Sequence, residues 1–147
     1  MGDRTYCKFT INKHYYEQNK EVFDKMDSDE TEDDGEEISF VDYEANYGSM
    51  ESYESFCQEH QIEYDRRWEA GGDYGAGNEY ARNVNGEFKL HDIYDDGEAV
   101  LTELKSILNE TDHAKREALL NKRIKELEPF EITPLKAPQS IDFIKNS

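Results

Sequence analysis

Twelve residues, MDSDETEDDGEE from Met26 to Glu37, constrain this chain more than any others. Eight of them are acidic, namely Asp27, Asp29, Glu30, Glu32, Asp33, Asp34, Glu36 and Glu37, and none is Lys or Arg. Acidic runs of this density usually form solvated tails. This one is internal, between segments whose apolar periodicity predicts folded elements. The excess also extends past it, since residues 17–65 hold eighteen acidic side chains against Lys20 and Lys25. Any fold of this chain must therefore leave many like charges facing water or a cationic partner.

The formal net charge of −18 in 147 residues lies far outside the range of about 2–8 that solubility asks of a small domain. Such an excess destabilises a compact state by self-repulsion, so a purpose beyond solubility is expected. The charge is also uneven. Residues 1–103 carry 28 acidic and 9 basic side chains, whereas residues 104–147 carry 7 and 8. Asymmetry between halves points to an interaction rather than to adaptation to salt. Seven Phe, ten Tyr and one Trp supply enough large apolar surface to argue against wholesale disorder.

Local patterns predict an α+β protein with a mostly antiparallel sheet of about five strands and helices layered on it. Cys7, Phe9 and Ile11 alternate with polar residues, as in a half-buried strand over 5–12. Val22, Phe23 and Met26 suggest a short helix over 17–26. Strands follow over 38–47 and 62–69, separated by a helix that Ser49 can cap and whose stripe is Met50, Tyr53, Phe56 and His60. Residues 79–94 read as a hairpin turning at Asn85-Gly86, which suits a type I′ turn. Two helices, 97–109 and 112–127, carry leucine stripes. Residues 1–128 are expected as one domain containing the acidic segment 26–37. Residues 129–147, with three prolines, are expected as an extended tail whose stretch 140–145 could dock as an edge strand.

Several constellations are weaker. The Gly71–Gly77 loop leads into a strand rather than a helix N-terminus, so it lacks the dipole that phosphate sites use. It would be the centre of an alternative reading, a small enzyme or metal-dependent domain. Asp92 to Glu103 matches a calcium loop at some positions but has Tyr94 where a ligand oxygen is needed. Cys7, His14, Cys57 and His60 lack the usual zinc spacing. No catalytic residue, metal or cofactor is therefore expected. With two cysteines, no apolar signal core and no run long enough for a membrane span, a cytoplasmic location is expected.

The acidic surface remains. Alternate residues on a strand lie about 6.6 Å apart on one face, so Asp42 and Glu44 can form a row of charge. Glu51 and Glu54, neighbours on a helix, can continue it, and Tyr43, Tyr47 and Tyr53 offer faces to Arg side chains. These residues, with the eight acids of 26–37, are the expected partner-binding set. The expected partner is a basic, nucleic-acid-binding protein, with no direct binding of nucleic acid and no membrane. In composition the chain resembles small acidic phage and plasmid proteins that block restriction or CRISPR systems by imitating nucleic acid. That resemblance implies an inhibitor acting in a host cytoplasm if phage-encoded. An immunity protein or antitoxin capping a basic nuclease would need the same acidic face and aromatic anchors.

Overall fold

The alternation at Cys7, Phe9 and Ile11 builds the centre of the sheet. The computed structural model describes residues 4–46, 48–71, 75–95 and 97–138, and in it β1 (Arg4–Asn12) alternates buried and half-buried residues from Thr5 onwards. The following elements are α1 (Lys13–Gln18), α2 (Lys20–Asp24), β2 (Glu30–Asp33), β3 (Glu37–Asn46) and α3 (Glu51–His60). Then come β4 (Tyr64–Trp68), β5 (Gly77–Val84), β6 (Glu87–Tyr94), α4 (Gly97–Leu108) and α5 (His113–Leu127). Among the described residues every strand pairing is antiparallel, in the order β2-β3-β1-β4-β5-β6. The fold is thus α+β on an antiparallel sheet, as expected, with six strands among the described residues instead of about five.

The added strand is β2, inside the acidic run. Acidic residues are poor strand formers, so nothing local announces it. Its support is tertiary: Thr31 pairs with Phe40 and Asp33 with Ile38, and Gly35, with φ of 98°, makes the turn between β2 and β3. The expected helix over 17–26 is instead two short helices broken at Asn19, whose backbone N–H bonds back to the carbonyls of Tyr15 and Tyr16. The hairpin turns as expected, with positive φ at both Asn85 and Gly86. Asp112 caps α5 by accepting from Lys115 N.

The core lies on the face of the sheet that carries Cys7, Phe9 and Ile11. There Phe23 from α2, Met50 just before α3, and Tyr53 and Cys57 from α3 pack on Phe40, Tyr64, Trp68 and Ala81. Aromatic rings dominate it: Phe9 stacks on Tyr64 at 4.6 Å between centroids, and Phe23 on Phe40 at 5.6 Å. The opposite face of β5 and β6 receives the chain after α5. His91 bonds to the Leu127 carbonyl at 2.8 Å and Arg82 donates to the Thr133 carbonyl at 2.8 Å. Residues 128–138 form neither helix nor strand, consistent with an extended tail. The expected edge strand at 140–145 lies outside the described residues, as do Tyr47 and the middle of the glycine loop.

Candidate functional site: a carboxylate groove beside the third strand

Strand β3 does not alternate strictly. Thr5 pairs with Ala45 and Cys7 with Asp42, so Tyr43 and Glu44 together stand opposite the single residue Tyr6. This is a β-bulge, which bends a strand and re-aims its side chains. Ala45 thereby returns to the buried face that alternation from Asp42 would have assigned to Glu44. Glu44 stays exposed.

An open groove of about 560 Å³ lies against this bulge. It is lined by Asp27 from the chain before β2, Asp42 and Glu44 from β3, Glu51 from the first turn of α3, and the buried ring of Tyr53. Asp29 lines a smaller adjoining cavity of about 360 Å³ together with Asp27, Asp42 and Glu44. Five expected site carboxylates from three separate segments therefore converge. Asp29 anchors the arrangement: its carboxylate accepts from Tyr43 N at 2.8 Å, and its own N–H bonds to the Val41 carbonyl at 2.7 Å. Arg4 and Lys25 also line the groove. Among the described residues, however, the five carboxylates form no ion pair.

Other residues of the expected set lie elsewhere and are partly neutralised. Glu32 pairs with Lys8 at 2.9 Å, and Asp33 with Lys13 at 2.9 Å. Lys13 and the Gly35 N–H hold the Asp33 carboxyl below its usual range. Asp34 is held low by the N–H groups of Glu37 and Glu36, while burial pushes Glu37 up. Glu30 accepts from the hydroxyl of the exposed Tyr43, whose ring meets Tyr6 at 5.9 Å. Glu36 is exposed in the turn. Tyr53 lies in the aromatic core and is 2% exposed, so it does not offer the ring face to a partner that its position in the sequence suggested.

Glu54 does not continue the row from Glu51. Its carboxylate turns inward, accepting from Met50 N at 2.7 Å and Ser49 Oγ at 2.9 Å. It also stands 3.5 Å from Arg66, which is equally close to Glu79. Arg66 donates to the Gly48 carbonyl and lies over the Trp68 ring, while the Tyr64 hydroxyl donates to Glu79 at 2.6 Å. The sequence reading did not find this buried network. A signal was present, because Arg66 falls between Tyr64 and Trp68 on the buried face, and a buried guanidinium needs carboxylate partners.

The residues considered for metal do not converge on an open site. Cys7 and Cys57 are fully buried, and burial pushes the Cys7 thiol up to about 12. His60 is exposed with its ring tilted against Phe56, and His14 is exposed beside Glu17. At the end of the glycine loop, the position a Gly77 Cβ would take is already filled by the Trp68 ring, 2.7 Å away. That glycine serves packing of the indole. Among the described residues no helix is long and apolar enough to cross a membrane. The arrangement defines an α+β protein with an anionic groove at one side of its sheet. No protein-family model, curated protein or solved structure matches the chain.

Proposed function

We propose that this protein is an inhibitor that presents the carboxylate groove to a basic nucleic-acid-binding surface and competes with nucleic acid for it. One observation carries the reading: Asp27, Asp29, Asp42, Glu44 and Glu51 gather from three segments and are left without ion pairs among the described residues. Like charges brought together destabilise the free protein. A guanidinium-rich partner relieves that cost on binding, which gives the complex electrostatic steering and specificity. DNA offers such partners one negative charge per about 1.7 Å of axis, and carboxylates gathered from three segments into one groove are a protein counterpart of it.

The test uses the protein as bait in host lysate at low salt, followed by competition with duplex DNA for the captured partner. The protein alone is expected not to bind DNA, and to displace it from the partner with an affinity that falls as salt rises. Reversing Asp27, Glu44 and Glu51 to Lys removes exposed groove charges. Reversing Glu59, Glu87 and Glu131, all exposed and away from the groove, alters net charge equally. Glu54 is left intact because it supports the Arg66 network. Exposed pairs are worth only about 0–1 kcal/mol each, so three are changed together. Equal binding by the two triple variants would falsify the proposal.

A further inference from the structure

The apolar stripe of α4 is wider than the surface it buries. Ile107 is buried, yet Leu101, Leu104 and Leu108, at spacings of three and four residues, are 52%, 41% and 71% exposed. On α5, Leu119, Leu120 and Ile124 are 36%, 37% and 58% exposed. These six make up most of the ten exposed large apolar side chains among the described residues. The two helices are joined by a four-residue connection and tied side by side by the Arg123–Glu103 ion pair, so their uncovered leucines belong to one helical hairpin.

From this hairpin we infer a self-association surface whose occupant is the same hairpin of a second copy of the chain, giving a two-fold four-helix arrangement. Charge selects that occupant. Residues 97–127 hold six basic and six acidic side chains, so the whole excess of −18 lies outside them. Two copies therefore meet with less repulsion through this neutral hairpin than through residues 1–96, which carry 26 acidic and 9 basic side chains. Area agrees with the assignment. The six exposures add up to about three fully exposed leucines, so covering them in both copies removes on the order of 1,000 Å² in total, the lower limit for a specific interface and the size of a weak, concentration-dependent one. Solvent-exposed apolar patches of this extent mark interaction sites. Lys105 and Glu117 lie on the same two helices with no ion pair among the described residues, and a two-fold interface can set one against the other.

The chain's own C-terminal residues are the competing occupant. Their approach is directed elsewhere: Lys136 N is bonded to Glu63 at 3.0 Å, beside Asn83. That is the hairpin-turn end of β5 and β6, whereas α4 follows the other end, where Tyr94 pairs with Gly77.

Sedimentation equilibrium of the full chain tests the inference. The mass is expected to rise with concentration from 17.2 kDa to twice that value. Screening should tighten the dimer on the order of tenfold between 50 and 500 mM NaCl, the opposite of the salt response expected for the basic partner. Leu108→Glu with Ile124→Glu alters two mostly exposed positions and should weaken the dimer at least ~100-fold by placing unpaired charge in the interface, with an unchanged circular dichroism spectrum. Leu101→Gln with Leu104→Gln is the second variant and should weaken it in the same direction. A chain that stays monomeric at 200 µM in 500 mM NaCl overturns the inference, as does a Glu double variant that is folded and dimerises like the wild type. Dimerisation seen only after residues 139–147 are deleted also overturns it, since the chain's own end would then be the occupant.

Discussion

Removing the carboxylate of Glu63 should uncouple the C-terminal segment from the sheet and cost about 3 kcal/mol of stability. The side chain is 1% exposed and serves two backbone donors, Asn83 N at 2.8 Å and Lys136 N at 3.0 Å. It also faces the Lys136 ammonium at 4.0 Å. Hydrogen bonds to a charged acceptor contribute about 1.5–3 kcal/mol each, and an unsatisfied donor left behind costs a similar amount. The two bonds in Glu63→Ala therefore sum to ~3 kcal/mol once water reaches the partly buried Lys136 amide. In a chain of this length that lowers Tm by roughly 9 °C. Glu63→Gln keeps the shape and one acceptor, so about half of the loss is expected. Urea unfolding with a shared m value measures both. Hydrogen exchange at the Asn83 and Lys136 amides should accelerate in the Ala variant while the central β1 amides stay protected. A cost below about 0.5 kcal/mol, the range of ordinary surface changes, with unaltered exchange at both amides, would refute the reasoning.

Gly77→Ala should cost about 1–3 kcal/mol by overpacking, because its Cβ would meet Trp68 at 2.7 Å and the Ile93 carbonyl at 2.9 Å. Trp68 is the single tryptophan, so an unshifted emission spectrum together with an unchanged Tm would reject this. Stability should peak on the acid side of neutrality. Burial holds Asp65, Asp92 and Glu37 above the usual carboxyl range, so these groups bind protons more tightly when folded and their penalty is relieved as pH falls from 7. Asp24 and Asp95 are held low by Lys20 and Arg67, as Asp33 and Asp34 are by their own partners; their stabilisation is complete above about pH 4 and lost below it. A Tm that declines steadily from pH 7 downwards would contradict that sign. Raising NaCl from 20 to 500 mM should raise Tm, because screening acts on exposed like charges beyond about 10 Å at 0.1 M. A flat response would mean that the carboxylates are already compensated locally.

The elements readable in the sequence are those whose causes are local. Asn85-Gly86 specifies its turn through two positive φ angles, and the leucine spacing of α4 and α5 suffices to mark both helices. Strand β2 was hidden because its causes are distant: Lys8 and Lys13 reach it from β1 and α1, and Phe40 and Ile38 supply its register. The same dependence divided the acidic residues. Adjacent in sequence, Glu32 and Asp33 acquired cationic neighbours, while Asp27 and Asp29 were carried to the groove. Glu51 and Glu54 share a helix, yet Arg66 drew only Glu54 inward. Composition thus announces that anionic surface will exist, but only the pairing of a few lysines and one buried arginine decides which carboxylates remain free. On the proposed reading a partner's guanidinium groups would meet the groove carboxylates, which share their lining with Arg4 and Lys25 but form no ion pair among the described residues. For that reason the groove variants, rather than changes along the middle of the acidic run, separate a binding surface from a merely solvated one.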